Sequence, residues 1–367
     1  GHGSMLIYAL LALTGHEKIS IEAVKHFREL GAHCAGHPEY DPEAGIETTT
    51  GPLGQGIANA VGMAIAEEHL RARFGAEVVD HRTWAFVGDG CLQEGVGQEA
   101  ISLAGHLKLG RLTFFWDDNA ITDDGSTVLS ISENVADRFR VAGWHVVEID
   151  GHDIDAVDAA IVLAKRDPRP SLIACRTTIA RGVERLEGQR GGHSGKLFPT
   201  DRDAMAARFG WGAEAFSVPD DVAAAWRAAG RRGAEARLLW TARLAGLGPA
   251  VRAEFERAIA GRLPAGVGEA LAGLKAEWFA EERSDFSIQL SSDVASLLYD
   301  RMPEILVGCA DLEAPTNHKR QLPAFNAGDR VGRYVHCGVR EHVMGSAANG
   351  MAAHGGVVPF AVTRSEE

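Results

Sequence analysis

Nowhere in its 367 residues does this sequence carry an apolar run approaching the length of a membrane span, so no membrane partner is expected. Cysteine is scarce and poorly spaced for chemistry. The five (Cys34, Cys91, Cys175, Cys309, Cys337) are odd in number, scattered, and without a Cys-x-x-Cys pair. That argues against a disulfide framework or a zinc site and suits reduced, buried thiols in a cytoplasmic protein. Basic charge is also short: 37 Lys and Arg face 50 Asp and Glu, a net charge of −13. A nucleic-acid binder usually shows a basic face, so no nucleic-acid partner is expected. Any phosphate ligand has to be met locally by helix N-termini, a metal or a few basic side chains. No Gly-x-Gly-x-x-Gly follows a first strand with an acidic residue about twenty positions on, which disfavours a dinucleotide-dependent dehydrogenase. There are no internal repeats. The opening, Gly1-His2-Gly3-Ser4-Met5, has no charged n-region and does not read as a signal peptide; it reads as the start of a fragment.

What is present is an α/β pattern. Helical runs at 5–13 and Ile19–Leu30 come first, then a Gly-, Pro- and Thr-rich loop from Gly36 to Gly56, then a small-residue helix from Ile57. Buried-strand patterns at Thr83–Val87, Leu112–Trp116, Trp144–Ile149 and Ser171–Thr178 alternate with helical patterns near 94–108, 133–142 and 153–165. The alternation predicts α/β architecture, a parallel sheet flanked by helices. Ligands belong at the carboxyl ends of its strands. From about 216 to 283 the Ala-, Arg- and Glu-rich composition predicts a helical linker. A second, similar α/β pattern then begins, with a helix at 291–301, a strand at Ile305–Val307, a strand at Tyr334–Val335, a helix from Glu341 and a strand at Val357–Val362.

The sharpest chemical signal is a strand running into Gly88-Asp89-Gly90 and a helix, with Asn119 about thirty residues on, ending the next strand. An Asp and an Asn at neighbouring strand tips can share one hard cation. Mg²⁺ takes oxygen ligands in near-octahedral geometry and usually shares them with phosphates. The two glycines let backbone approach a diphosphate closely. Alone, Gly-Asp-Gly is more often an ordinary strand-to-helix turn. With Asn119 at this distance, and Ile121 positioned to offer its carbonyl, the cation reading gains the advantage. The loop Glu47-Thr-Thr-Thr-Gly-Pro-Leu-Gly-Gln-Gly56 leads small residues to a helix N-terminus, which either binds an anion or is simply capped.

Taken together these stretches resemble the transketolase family of thiamine-diphosphate enzymes. The match comprises the Gly-Asp-Gly and its distant Asn, the run from Thr48 to Ala64, Gly1-His2-Gly3-Ser4, and Gly36-His37-Pro38-Glu39. Tyr334-Val-His-Cys-Gly-Val-Arg-Glu341 and Ala348 to Gly356 match a later family segment in the same order. The resemblance implies the thiamine-diphosphate-binding fold. It implies a diphosphate- and metal-binding domain over 1–215 lacking its N-terminal segment, a helical linker over 216–284, and the first part of a pyrimidine-binding domain over 285–367. It also implies thiamine diphosphate and Mg²⁺ as cofactors, with Ca²⁺ or Mn²⁺ able to substitute.

Residue roles follow from the same resemblance. Asp89, Asn119 and the Ile121 carbonyl become the metal ligands, with Gly90 and Asn119 also at the diphosphate. His2 lies beside the diphosphate, and Gly51, Pro52 and Leu53 line the thiamine. His37 hydrogen-bonds the donor sugar, His193 sits over cofactor and substrate, and Thr316 keeps a hydroxyl for substrate phosphate. Glu341 is the catalytic carboxyl that hydrogen-bonds the aminopyrimidine nitrogen and so promotes loss of the thiazolium C2 proton. Glu94 and Glu99 fall where the family has dimer-interface carboxylates, or on a solvated helix face. The implied activity is reversible transfer of a two-carbon ketol (glycolaldehyde) unit from a ketose phosphate to an aldose phosphate. The pathway is the pentose phosphate pathway or the Calvin cycle, and the enzyme a homodimer with sites shared between subunits.

The chain also departs from the family. Gln289-Leu290-Ser291-Ser292 stands where an Arg-Lys-x-Ser segment grips the sugar phosphate, and a neutral amide cannot replace the charged fork of Arg. His318, Lys319 and Arg320 are near enough in sequence to compensate. Dihydroxyacetone synthase is a related alternative, as is an inactive, dimerising remnant of a transketolase. Deoxyxylulose-phosphate synthases share Gly-Asp-Gly and the Asn but generally lack the Thr48–Ala64 context.

Overall fold

The computed structural model describes all residues except 2, 213 and 364–367. The chain forms two compact units. The first comprises Gly1–Ile57 and Trp84–Arg237, the second Ala58–Thr83 and the chain from Leu238 onward.

The first unit is built on four strands, β1 (Thr83–Gly88), β2 (Leu112–Asp118), β5 (His145–Asp150) and β6 (Ser171–Arg176), in the order β1-β2-β6-β5. A two-residue hairpin, β3 (Ile121–Thr122) and β4 (Gly125–Ser126), lies between β2 and β5 in the chain. β6 pairs in parallel with β2 and β5, aligning Leu172 with Phe114 on one side and Val146 on the other. Its residues Ser171 to Cys175 are all buried, as a continuous apolar strand covered on both faces must be. Helices Gly95–Leu107, Val135–Val141 and Ile154–Arg166 supply the cover. Asn134 and Asp153 cap the second and third by accepting backbone N–H bonds at 3.0–3.2 Å. Trp144 fastens this layer: its Nε1 donates to the Ile101 carbonyl at 2.9 Å and its ring packs on Phe114 and Phe139.

The second unit contains most of the helix Gln55–Phe74, helices Pro249–Ile259, Val267–Ala280 and Ser287–Tyr299, and the parallel sheet β8 (Tyr334–His336), β7 (Ile305–Cys309), β9 (Val358–Val362), in that order. Tyr299, Met302, Ile305, Val307, Tyr334 and Val362 form its core. One buried carboxylate here, Glu304, is paired. Arg257 bridges Glu254 and the buried Glu304 at 2.8 Å each, and Arg73 reaches Glu254 at 3.1 Å. No helix among the described residues is long and apolar enough to cross a membrane.

The order of the main strands and helices is the one the sequence pattern predicts, while the β3–β4 hairpin and the short helices Gly191–Ser194 and Glu313–Thr316 are additional. The expected helix Ile19–Leu30 is only Ile21–Lys25. Arg28 adopts φ 67° so that its N–H can reach the Cys34 carbonyl at 2.9 Å, and that turn ends the helix. Helix Pro199–Arg208 was not anticipated, although Pro199 at its first position and Asp201, which accepts the Phe198 N–H at 2.8 Å, are start signals. The segment predicted as one linker contains four helices. Asp220–Arg231 packs on Ser4–Thr14 in the first unit, whereas Pro249–Ile259 and Val267–Ala280 belong to the second.

Candidate functional site

At the carboxyl tip of β1 the chain turns through Asp89-Gly90 into the helix Gly95–Leu107. The turn is closed by the Leu92 N–H to the Asp89 carbonyl at 3.2 Å and the Gln93 N–H to the Gly90 carbonyl at 3.2 Å. Asp89 is 6% exposed. Its Oδ1 accepts from Trp116 Nε1 at 3.1 Å, whereas Oδ2 is buried with no hydrogen-bond partner. Burial pushes this carboxyl up to about 6. Asp118 and Asp117 add to the effect, and hydrogen bonds from Trp116 and the Ala120 N–H oppose it. A buried carboxylate oxygen without a donor has paid its desolvation cost with nothing in return. A cation there would supply the missing partner, so the donor set fits a hard metal ion.

Asp89 thus reaches the turn that carries Asn119, which follows the end of β2. Within that turn Asn119 Oδ1 accepts the Ile121 N–H at 3.0 Å and Nδ2 donates to Asp117 at 3.0 Å. An amide oxygen has two lone pairs, so one bond leaves capacity for a second partner. Ile121 starts the β3–β4 hairpin, pairing with Ser126. Asn119 also lies on the rim of an open depression of about 820 Å³ at the carboxyl ends of β5 and β6, lined with Asp150, His152, Arg176 and Thr177. Among the described residues no cluster of three or more His, Cys, Asp or Glu could hold a metal. A Mg²⁺ site made of one carboxylate, one amide, one carbonyl and phosphate oxygens does not require one.

The Thr/Gly/Pro loop comes directly against this turn. A Cβ added to Gly90 would lie 3.0 Å from Leu53 Cδ1, and one added to Gly51 would lie 3.0 Å from His37 Cδ2. The Thr50 N–H donates to the Pro38 carbonyl at 3.1 Å, fixing the His37 segment to the same loop. Ser4 and Tyr8 hold that segment from the other side through the Gly36 and Ala35 carbonyls at 3.0 and 2.8 Å. Gly51, Pro52, Leu53, His37, Gly90 and Asp89 therefore form one continuous surface, though they come from three separate stretches of sequence. His193 lies on the short helix Gly191–Ser194, whose Ser194 donates to Asp123 in the β3–β4 turn at 2.9 Å. His2 lies outside the described residues.

In the second unit, Glu341 is the half-buried first residue of the helix Glu341–His354, which follows β8. The Thr316 hydroxyl is buried and donates to the Leu312 carbonyl at 2.6 Å. Gln289 donates to Asp293 at 3.0 Å. The same Asp293 pairs with Arg320 and Arg283, Arg320 Nε donates to Ser292 at 2.9 Å, and His318 meets Ser291 at 3.0 Å. Two guanidinium groups thus share Asp293 with Gln289. Trp116, which donates to Asp89, and Asp123, which accepts from Ser194 next to His193, are absent from the residues the sequence singles out. Neither carries a motif, and only the fold brings them there.

Comparison with known proteins gives the following matches. The profile of the transketolase thiamine diphosphate binding domain matches residues 1–264, and that of the transketolase pyrimidine binding domain matches residues 287–365. The chain is 43% identical over 364 residues to a transketolase of Cereibacter sphaeroides and 45% identical over 372 residues to transketolase 1 of Aliivibrio fischeri. In each case 99% of this chain is covered, and 55% and 56% of the relative. It therefore spans about half the length of these relatives. Among solved structures, the transketolase of Leishmania mexicana superposes with a TM-score of 0.90 at 38% identity. A Pichia stipitis transketolase in complex with sedoheptulose-7-phosphate gives 0.91 at 36%. Both superpositions cover 99% of this chain and 55% of the other.

Proposed function

The chain belongs to the transketolase family, and on that premise we propose that it serves in the transfer of a two-carbon ketol unit from a ketose phosphate to an aldose phosphate. Thiamine diphosphate and Mg²⁺ are the cofactors of this reading, and a homodimer is its working form. The observation that carries it is the buried, unpartnered Oδ2 of Asp89 beside the Asn119 turn. Asp89, Asn119 and the Ile121 carbonyl would hold the ion, with Gly90 and the Gly51-Pro52-Leu53 loop against the cofactor. When bound, thiamine diphosphate supplies a carbon nucleophile that also acts as an electron sink.

The protein's own groups then bind, orient and move protons. Asp89 and Asn119 would hold the ion at the diphosphate end. His37, against Gly51, and His193, near the Asp123 turn, would hydrogen-bond a sugar hydroxyl. Glu341 of the partner subunit would hydrogen-bond the aminopyrimidine nitrogen through its carboxyl group. For substrate phosphate we assign Arg320 in place of the absent Arg. Gln289 and Arg320 share Asp293, and an Arg supplies the charged fork that an amide lacks.

Two measurements test this reading. Thermal unfolding with Mg²⁺ and thiamine diphosphate at a hundredfold their dissociation constants should show roughly 2.7 kcal/mol of added stability. Asp89→Ala should lose that gain, and a wild-type chain that gains nothing would favour the inactive-remnant reading. Arg320→Leu should raise KM for phosphorylated sugars about tenfold or more while leaving KM for unphosphorylated ketoses unchanged. An equal change for both would remove Arg320 from phosphate binding.

A further inference from the structure

In the second unit, His81, in the segment leading into β1, meets His354, the last residue of the helix Glu341–His354. Their Nε2 atoms are 2.7 Å apart, the ring centroids 4.9 Å apart, and the ring planes only 23° from parallel. The difference between the two distances is about what two imidazole centre-to-nitrogen radii take up. The rings therefore meet edge to edge, nitrogen facing nitrogen, and are not stacked face on face. His354 Nδ1 lies 2.9 Å from the Gly355 carbonyl. A carbonyl only accepts, so Nδ1 carries the proton and Nε2 of the neutral ring presents its lone pair to His81. Metal-ligating histidines are typically oriented in this way, with the far ring N–H given to a backbone carbonyl.

We propose that His81 and His354 form a surface site for a late first-row divalent cation of the Zn²⁺, Ni²⁺ or Cu²⁺ kind, separate from the Asp89 site. The site joins the strand-entry segment to the end of the helix. Two imidazole nitrogens suit these ions, whereas Mg²⁺ and Ca²⁺ require oxygen. Two Zn–N bonds of about 2.0–2.1 Å at a tetrahedral angle set the nitrogens roughly 3.3 Å apart. The nitrogens must part by about half an ångström, each ring must swing by about 35° so that both lone pairs converge on the ion, and His81 must carry its proton on Nδ1. His81 is exposed and His354 half-buried, so water can complete the coordination. Both rings must be neutral to bind, so occupancy falls on acidification.

The test is equilibrium dialysis of the whole chain against Zn²⁺ in excess Mg²⁺, together with the electron paramagnetic resonance spectrum of the Cu²⁺-loaded protein. The wild type should retain Zn²⁺ despite the Mg²⁺ and show Cu²⁺ with two nitrogen ligands. His81→Asn and His354→Asn should each weaken Zn²⁺ retention at least tenfold. Retention unchanged in both variants, or no retention by the wild type, would leave the pair as a plain N–H···N hydrogen bond and overturn the proposal. Should a variant fail to fold, the wild-type spectrum decides: Cu²⁺ with fewer than two nitrogens rules the site out.

Discussion

Asp89 shows what a single residue contributes beyond its motif. Burial holds its carboxyl near 6, above the usual value of about 4. The folded, metal-free chain therefore binds a proton that the unfolded chain releases, and stability is lost as pH rises through that interval. His69, fully buried and pushed down to about 4 chiefly by burial, acts in the opposite sense over nearly the same range. The informative quantity is thus a difference between proteins. Asp89→Asn is expected to stabilise the metal-free chain at pH 7 by on the order of 2 kcal/mol. That gain should vanish as the pH falls from about 6 to 4. Denaturation midpoints of the two proteins against pH measure it, and a variant no more stable than wild type at pH 7 contradicts this account. Asp89, Asn119, His37 and Leu53 stand out in the sequence as candidates because the family motif is dense there. Trp116 does not, since a tryptophan that aims an aspartate 27 residues away is indistinguishable on paper from any core aromatic.

At the scale of elements, the helices Gln55–Phe74 and Glu341–His354 approach closely enough for backbone contact. A Cβ on Gly62 would lie 1.9 Å from the Ala347 carbonyl oxygen, and one on Gly350 would lie 2.0 Å from that of Asn59. Gly345, in the second of these helices, has open space around it. Gly62→Ala and Gly350→Ala should therefore cost about 1–3 kcal/mol each by forcing the helices apart. Gly345→Ala should instead gain about 0.5–1 kcal/mol from helix propensity alone. Chemical denaturation of the three variants checks the opposite signs. The small-residue run from Ile57 announced close packing, but not its partner. A helix some 280 residues on is invisible to periodicity, which reports only that a face is buried.

At the scale of the whole molecule, the chain does not divide where the two family profiles divide. Residues 58–83 fold with the part of the chain after Leu238, although they lie deep inside the first matched region. A fragment of residues 1–264 would keep the helix Gln55–Phe74 but lose Ala347, Arg330 and Glu304, which pack on or pair with it and with Arg257. Such a fragment is expected to be aggregated or to lack cooperative unfolding, judged by gel filtration and near-ultraviolet circular dichroism. A soluble 1–264 with a sharp transition would show that the second unit is not needed to cover that helix.

The sequence by itself determined the α/β class, the alternation of elements and the family, since these depend on local periodicity and on unbroken motifs. Only the tertiary structure decided which oxygen of Asp89 is left unpartnered, that Arg320 and Arg283 gather at Asp293 beside Gln289, and that His81 meets His354. Each of these joins residues far apart in the chain, and such a contact is set by how the elements pack, which no local pattern encodes.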